Sequence, residues 1–254
     1  MLLSAASSVG AAAAAPQTAP NSDIFILAGQ SNMGGRGGVN GGRWDHFIPP
    51  ECRPSPSILR LSAGLRWEVA REPLHADIDT GKICGVGPGM PFAHAVLTDG
   101  AAARRPIGLV PCAVGGTKIS EWARGTHLYS NLVRRALVAA GSGGRLAAML
   151  WYQGESDTVV EADARAYGGR MKRLVSDLRR DLQDPNLIVI QVALASGEGR
   201  YVGLVREAQK GIQLQNLFLV DAEGLQLEPD NLHLTTKSQL GNQANRRSRA
   251  MTQG

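Results

Sequence analysis

The sequence predicts an α/β protein: an open, five-stranded parallel sheet with helices on both faces. Three observations predict it. Five short apolar runs recur along the 254 residues. Each run is continuous rather than alternating, the pattern of strands buried on both faces. Segments of helical periodicity lie between the runs, and that alternation belongs to a parallel sheet with crossover helices.

The elements follow in order. Ile24–Leu27 is the first strand. The stretch 29–86 is rich in Gly and Pro and lacks helical periodicity; a connection that long is functional or carries small irregular elements of its own. A helix is expected over 90–103, then a strand at Ile107–Val110. Residues 127–140 place Leu128, Leu132, Arg135 and Val138 at helical spacing, and Leu146–Trp151 is the third strand. Residues 161–183 carry Met171, Leu174, Val175, Leu178 and Leu182 at steps of three and four, with charges between, which gives an amphipathic helix. Leu187–Val192 and Leu217–Val220 are the remaining strands, separated by a helix over 201–215. A last helix begins near Thr235, whose hydroxyl can cap it.

Composition narrows the function classes. The length suits one core, so 21–254 reads as a single domain. With 43% hydrophobic and 19% charged residues the chain is not disordered overall. Outside the Ala-rich start no run of about 20 apolar residues could span a bilayer, so no membrane partner is expected. Net charge is +5, and Lys237, Arg246, Arg247 and Arg249 crowd the end. No nucleic-acid motif accompanies them and aromatics are only 5%, so no nucleic-acid partner is expected either. Residues 1–20 read as a disordered, Ala-rich leader, lacking the basic residues of a secretory signal or transit peptide. That leans toward the cytoplasm and leaves secretion and the plastid open. Cys52, Cys84 and Cys112 form no CxxC and no ligand-spaced cluster, so neither metal nor cofactor is expected. A Cys52–Cys84 bridge stays open, and Cys112 reads as a buried thiol. Oligomeric state is not legible.

In an open α/β sheet, sites form at the carboxyl ends of the strands. The first strand runs into Gly29-Gln30-Ser31-Asn32, a serine in a Gly-flanked turn. The second runs toward Gly115-Gly116-Thr117, where bare backbone N–H groups can face a developing oxyanion. The third ends in Gln153-Gly154-Glu155-Ser156-Asp157, an amide, two carboxylates and a hydroxyl, of which Asp157 or Ser156 could simply cap the next helix. Near the end Asp230 and His233 stand three apart, a spacing that lets the carboxylate accept from Nδ1–H and turns Nε2 toward a serine. Together these loops place Ser, Gly, amide and Asp/His on one sheet edge, the components of a serine hydrolase.

The blocks GQSNMGGRGG (29–38), CGVGPGMPFA (84–93), GLVPCAVGGTKISEW (108–122), WYQGESD (151–157) and DNLHLTT (230–236) resemble those of a plant carbohydrate esterase of the SGNH hydrolase superfamily, in the acetylxylan and sialate O-acetylesterase-like group. The resemblance spans about 23 to 236. It implies a flavodoxin-like three-layer α/β/α sandwich, the SGNH hydrolase fold, and metal-free hydrolysis of O-acyl esters, typically acetyl groups on sugars. It makes Ser31 the nucleophile, His233 the general base and Asp230 the residue that orients it. The oxyanion hole would be the N–H groups of Ser31 and Gly116, with Gly115 competing, and the Gln153 amide. The third block reads QGESD where the superfamily usually presents an Asn, which leaves the third donor open between Gln153 and Ser156. Glu155 is the alternative acid toward His233. The implied partner is an acetylated sugar or polysaccharide, on which Trp44, Trp67 or Trp122 could stack if they are not core. The competing functions are a non-catalytic carbohydrate-binding protein on the same scaffold and a general short-chain acyl esterase.

Overall fold

Seven strands make the central sheet, two more than the sequence predicts. The structure, a computed structural model, describes residues 21–99 and 105–241. Its strands are β1 (Asp23–Gly29), β2 (Val39–Asn40), β3 (Arg43–Trp44), β4 (Ile58–Leu61), β5 (Trp67–Val69), β6 (Ile107–Pro111), β7 (Arg145–Tyr152), β8 (Ile188–Ala193) and β9 (Leu217–Asp221). The main sheet runs β5-β4-β6-β1-β7-β8-β9, and β2 pairs with β3 as a separate hairpin. Every neighbour pair in the main sheet is parallel except β4–β5. The helices are α1 (Ser31–Gly34), α2 (Gly89–Asp99), α3 (His127–Gly141), α4 (Glu161–Asp181), α5 (Val202–Lys210) and α6 (Thr236–Gly241).

The five expected runs are β1, β6, β7, β8 and β9. Numbered among themselves, they stand in the order 2-1-3-4-5 of doubly wound sheets, whose ligand crevice opens where the order reverses, between the first and third strands. Here that point lies between β1 and β7. The five-strand count is corrected by β4 and β5, both from the segment 29–86. Ile58–Leu61 adds to β6 in parallel, and Trp67–Val69 turns back on β4. Each is too short to show a period, so pairing and not pattern makes them strands. The expected helix over 201–215 stops at Lys210, where Gly211 follows as C-cap. The leader 1–20, the end of the expected helix 90–103 and the basic run at Arg246, Arg247 and Arg249 lie outside the described residues.

β1 is the central strand because nothing in it objects to burial. Ile24, Phe25, Ile26, Leu27 and Ala28 are at most 1% exposed, and each large side chain so buried contributes about 1.5–3 kcal/mol. α3 buries Tyr129, Leu132, Arg135, Ala136 and Ala139, the i, i+3, i+4 stripe of one helix face. The Arg135 guanidinium is satisfied by the carbonyls of Pro111, Ser62 and Leu61 at 2.9, 3.0 and 2.6 Å, which ties the ends of β4 and β6 to α3. α4 buries Met171, Leu174, Val175 and Leu178 as its periodicity requires. Cys52, Cys84 and Cys112 are free and buried, so the bridge left open above is not formed. Among the described residues no helix is long and apolar enough to cross a membrane.

β1 leaves no room for a side chain beside β7 at its last residue. Gly29 has φ +131°, and a Cβ there would sit 2.1 Å from the Tyr152 carbonyl oxygen, which is backbone and cannot swing away. Gly29→Ala therefore forces the two strands apart just before the Ser31 turn. We expect it to cost about 3 kcal/mol, read as a lower urea midpoint. An unchanged midpoint would show that the strands open without strain.

Candidate active site

The loops after β1, β6 and β7 are joined by buried amides. Gln30 leaves β1 with its N–H on the Tyr152 carbonyl at 2.9 Å. Its Oε1 accepts from the N–H groups of Gly154 and Ser156 at 3.3 and 3.4 Å, and its Nε2 lies 3.4 Å from Ser156 Oγ. Ser31 follows as the first residue of α1. It is 4% exposed, and its Oγ has no hydrogen-bond partner among the described residues.

The glycine loop after β6 rests against Ser31. A Cβ on Gly115 would lie 3.5 Å from Ser31 Cβ and 2.7 Å from Arg36 Nη2, so no larger residue fits there without displacing the arginine. The Gly115 N–H donates to Asp79 Oδ2 at 3.1 Å, and the same oxygen holds Arg36 Nη2 at 2.5 Å. That ion pair is almost fully buried, with side chains 6% and 4% exposed. The Gly115 donor is thus committed. Gly116, at φ +76°, has open space beside it, and its N–H has no partner among the described residues. Thr117 anchors the loop: its Oγ1 donates to the Val114 carbonyl and receives Trp122 Nε1 at 3.0 Å.

Gln153 is held differently from the expectation that it faces an oxyanion. Its Nε2 donates to the Thr117 carbonyl at 2.8 Å and to Asp157 Oδ2 at 2.7 Å. An amide has two N–H bonds, so one is committed to the neighbouring Thr117 loop and the other to Asp157 of its own loop, and the side chain is fully buried. Ser156, the other open choice, donates to Glu198 Oε1 at 2.7 Å. Asp157 also accepts the Ile119 N–H at 3.0 Å. Burial pushes its carboxyl up to about 6 against the pull of these donors.

The histidine loop closes the arrangement. Asp230 Oδ1 accepts the N–H groups of Leu232 and His233, both at 2.9 Å, and Oδ2 lies 2.6 Å from His233 Nδ1. Partial burial works against the Asp230 charge, but those two N–H groups and the imidazole outweigh it and hold the carboxyl below its ordinary range. Glu155, the alternative acid, instead accepts Asn32 Nδ2 at 2.8 Å. Asn32 is a residue the sequence reading missed. Its Nδ2 also reaches the Leu232 carbonyl at 3.3 Å, and its Oδ1 accepts the Leu234 N–H at 2.9 Å. The backbone on either side of His233 is therefore fastened to the residue after Ser31. Gln30, Arg36 and Asp79 were missed as well. The first two stand inside the GQSNMGGR run, and their signal was a polar residue placed where a plain turn needs none. Asp79 gave no signal in sequence.

Glu155 is fully buried, and burial pushes its carboxyl up to about 7 despite the Asn32 hydrogen bond, with Glu198 and Asp157 raising it further. The folded protein then keeps a proton that the unfolded chain releases near the ordinary value of 4.5. Stability is full below 4.5 and falls as pH rises through about 7. Glu155→Gln removes this contribution, so its urea stability should decline less than the parent's over that window. Parallel curves for the two proteins would show that Glu155 does not titrate there.

Of the three tryptophans, Trp122 is fully buried and Trp67 nearly so. Trp44 is half-buried and packs against His46, with ring centroids 4.6 Å apart and the rings tilted by 47°. Among the described residues no group of three or more His, Cys, Asp or Glu is placed to hold a metal ion.

Residues 21–251 match the family described as carbohydrate esterase, sialic acid-specific acetylesterase. The chain belongs to that family. As a carbohydrate esterase it is a carboxylic ester hydrolase, and its residue blocks are consistent with the SGNH superfamily. It is 58% identical over 227 residues to a protein of Arabidopsis thaliana named "probable carbohydrate esterase", covering 87% of each chain. A crystal structure from Arabidopsis thaliana superposes with a TM-score of 0.87 at 55% identity, covering 92% of this chain and 99% of that one. A carbohydrate acetylesterase of Xanthomonas citri shares the fold, with a TM-score of 0.63 at 19% identity, covering 90% of this chain and 55% of that one. In this esterase the loops that carry Ser31, Gly116 and His233 meet at the end of β1.

Proposed function

We propose that this esterase hydrolyses O-acetyl esters of carbohydrate through an acyl-enzyme on Ser31, with His233 as base and Asp230 as its orienting acid. One observation carries the reading: the Asp230–His233 pair, 2.6 Å apart, sits on a loop whose backbone is bonded to the side chain of Asn32, next to Ser31. The Ser31–His233 hydrogen bond is not made in the resting site; such bonds are often long or absent without substrate and tighten in the Michaelis complex.

The chemistry has two halves. Ser31 Oγ forms a bond to the acetyl carbon as His233 Nε2 takes its proton. The carbonyl oxygen becomes an oxyanion, met by the N–H groups of Ser31 and Gly116. One such donor is worth about 3 kcal/mol. His233 then protonates the sugar oxygen as its bond to the acetyl carbon breaks. Water attacks the acyl-enzyme, gives a proton to His233, and acetate leaves with Ser31 re-protonated. Asp230 holds the tautomer in which Nε2 is free to accept. Gln153 enters as an oxyanion donor only if it releases Thr117 or Asp157, so its ground-state role is to fix the Thr117 loop. The 2-1-3-4-5 strand order supports a flavodoxin-like three-layer sandwich, and residues 21–254 then act as one domain.

The test is acetate release from acetylated xylan and a panel of acetylated monosaccharides, alongside short and long acyl esters of one chromogenic alcohol. Preference for acetylated sugars supports the reading. Equal rates on simple acetates would make the protein a general short-chain esterase, and no release together with no fluorophosphonate label on Ser31 would make it a binding protein.

A further inference from the structure

We infer that Asn32 is a positioning residue: its amide seats the His233 loop against the nucleophile turn, and Glu155 helps to fix which way that amide faces. The inference rests on the acyl-enzyme reading above and deepens it. Asn32 is fully buried, and each polar atom of its amide has a partner. Its two N–H bonds meet two acceptors, Glu155 Oε1 and the Leu232 carbonyl, and its Oδ1 meets one donor, the Leu234 N–H. Its own carbonyl accepts Gln239 Nε2 from α6 at 3.1 Å. The two bonded backbone groups belong to the residues immediately before and after His233.

The loop has other supports. Ser196 Oγ also donates to the Leu232 carbonyl, at 2.6 Å, and Gly38 N–H reaches Glu228 Oε1 at 3.1 Å. Neither touches the nucleophile turn beside Ser31. Asn32 is covalently next to the nucleophile, so a displacement of either partner is passed to the other. Only a short amide satisfies the site. Aspartate lacks the donors, serine lacks the reach, and leucine lacks both. Glu155 supports the orientation, because its Oε1 accepts from Nδ2, while a flipped amide would set its oxygen against the Leu232 carbonyl and a donor against the Leu234 N–H. Glu155 therefore acts on His233 through Asn32 and not as its acid.

The test uses the full chain carrying Asn32→Asp, and the double variant Asn32→Asp/Glu155→Gln, which restores that hydrogen bond with donor and acceptor exchanged. The readouts are kcat and KM on 4-nitrophenyl acetate and hydrogen exchange of the segment 228–236. Asn32→Asp should lower kcat about 100-fold, the cost of roughly an ångström of misplacement, with little change in KM and faster exchange in the segment. The double variant should recover part of the kcat and slow the exchange again. The inference is overturned if Asn32→Asp keeps kcat within about threefold, which is below the scale of such misplacement, if exchange does not change, or if the double variant is no better than the single. Asn32→Ser removes the clamp without adding charge and is read the same way should the aspartate not fold. Exchange needs no turnover, so a parent protein without esterase activity would sink the acyl-enzyme reading while still showing whether Asn32 holds the loop.

Discussion

Ser31→Ala lowers acetate release by about 10⁶-fold, and its urea midpoint stays near the parent's. Both halves follow from the site. The hydroxyl has no hydrogen-bond partner among the described residues, so its removal orphans nothing. The side chain is nearly buried, but the change takes away a single oxygen. Chemically it takes away the atom that must bond to the acetyl carbon, and a lone oxyanion hole retains only a small part of serine-hydrolase catalysis. Acetate release and fluorophosphonate labelling are measured together. A variant that still hydrolyses acetylated sugars would end Ser31's role as nucleophile.

Asp230→Asn should lower kcat by about 10⁴-fold, the cost of the equivalent change in the serine-protease template. Asparagine keeps an oxygen for the N–H groups of Leu232 and His233, so the turn survives. Its amide can present a donor to Nδ1, which drives the imidazole to the tautomer with hydrogen on Nε2, where it cannot take the Ser31 proton. The Asp230 side chain is 46% exposed, so losing the charge costs little stability. Glu155→Gln, made in parallel, should act far more gently, because glutamine retains an oxygen for Asn32 Nδ2. Should the glutamine variant prove the crippled one and the asparagine variant active, the acid has been assigned to the wrong carboxyl.

The blocks around Ser31, Gly116, Gln153 and His233 were legible because each is local. Gly residues beside a strand end announce a turn, and Asp230 with His233 three residues on announces a hydrogen-bonded pair. What each group does with its donors was not legible. Gly115 and Gly116 look alike in sequence; they are told apart only by Asp79, 36 residues before the first of them. Gln153 looked like a free amide until Thr117 and Asp157 were found on it. Asn32 reaches Leu234 across 202 residues, a pairing that no local pattern encodes.

The sequence by itself determined the five parallel strands, their intervening helices and the loops that carry the polar groups, because burial on two faces writes a continuous apolar run into the chain. It determined the Asp230–His233 pair for the same local reason. Only the tertiary structure decided that β4 and β5 extend the sheet, that Gly116 and not Gly115 keeps a free N–H, and that Glu155 serves Asn32. Each of these depends on which distant group takes up a hydrogen-bonding capacity, and that is settled when segments far apart in the chain are brought side by side.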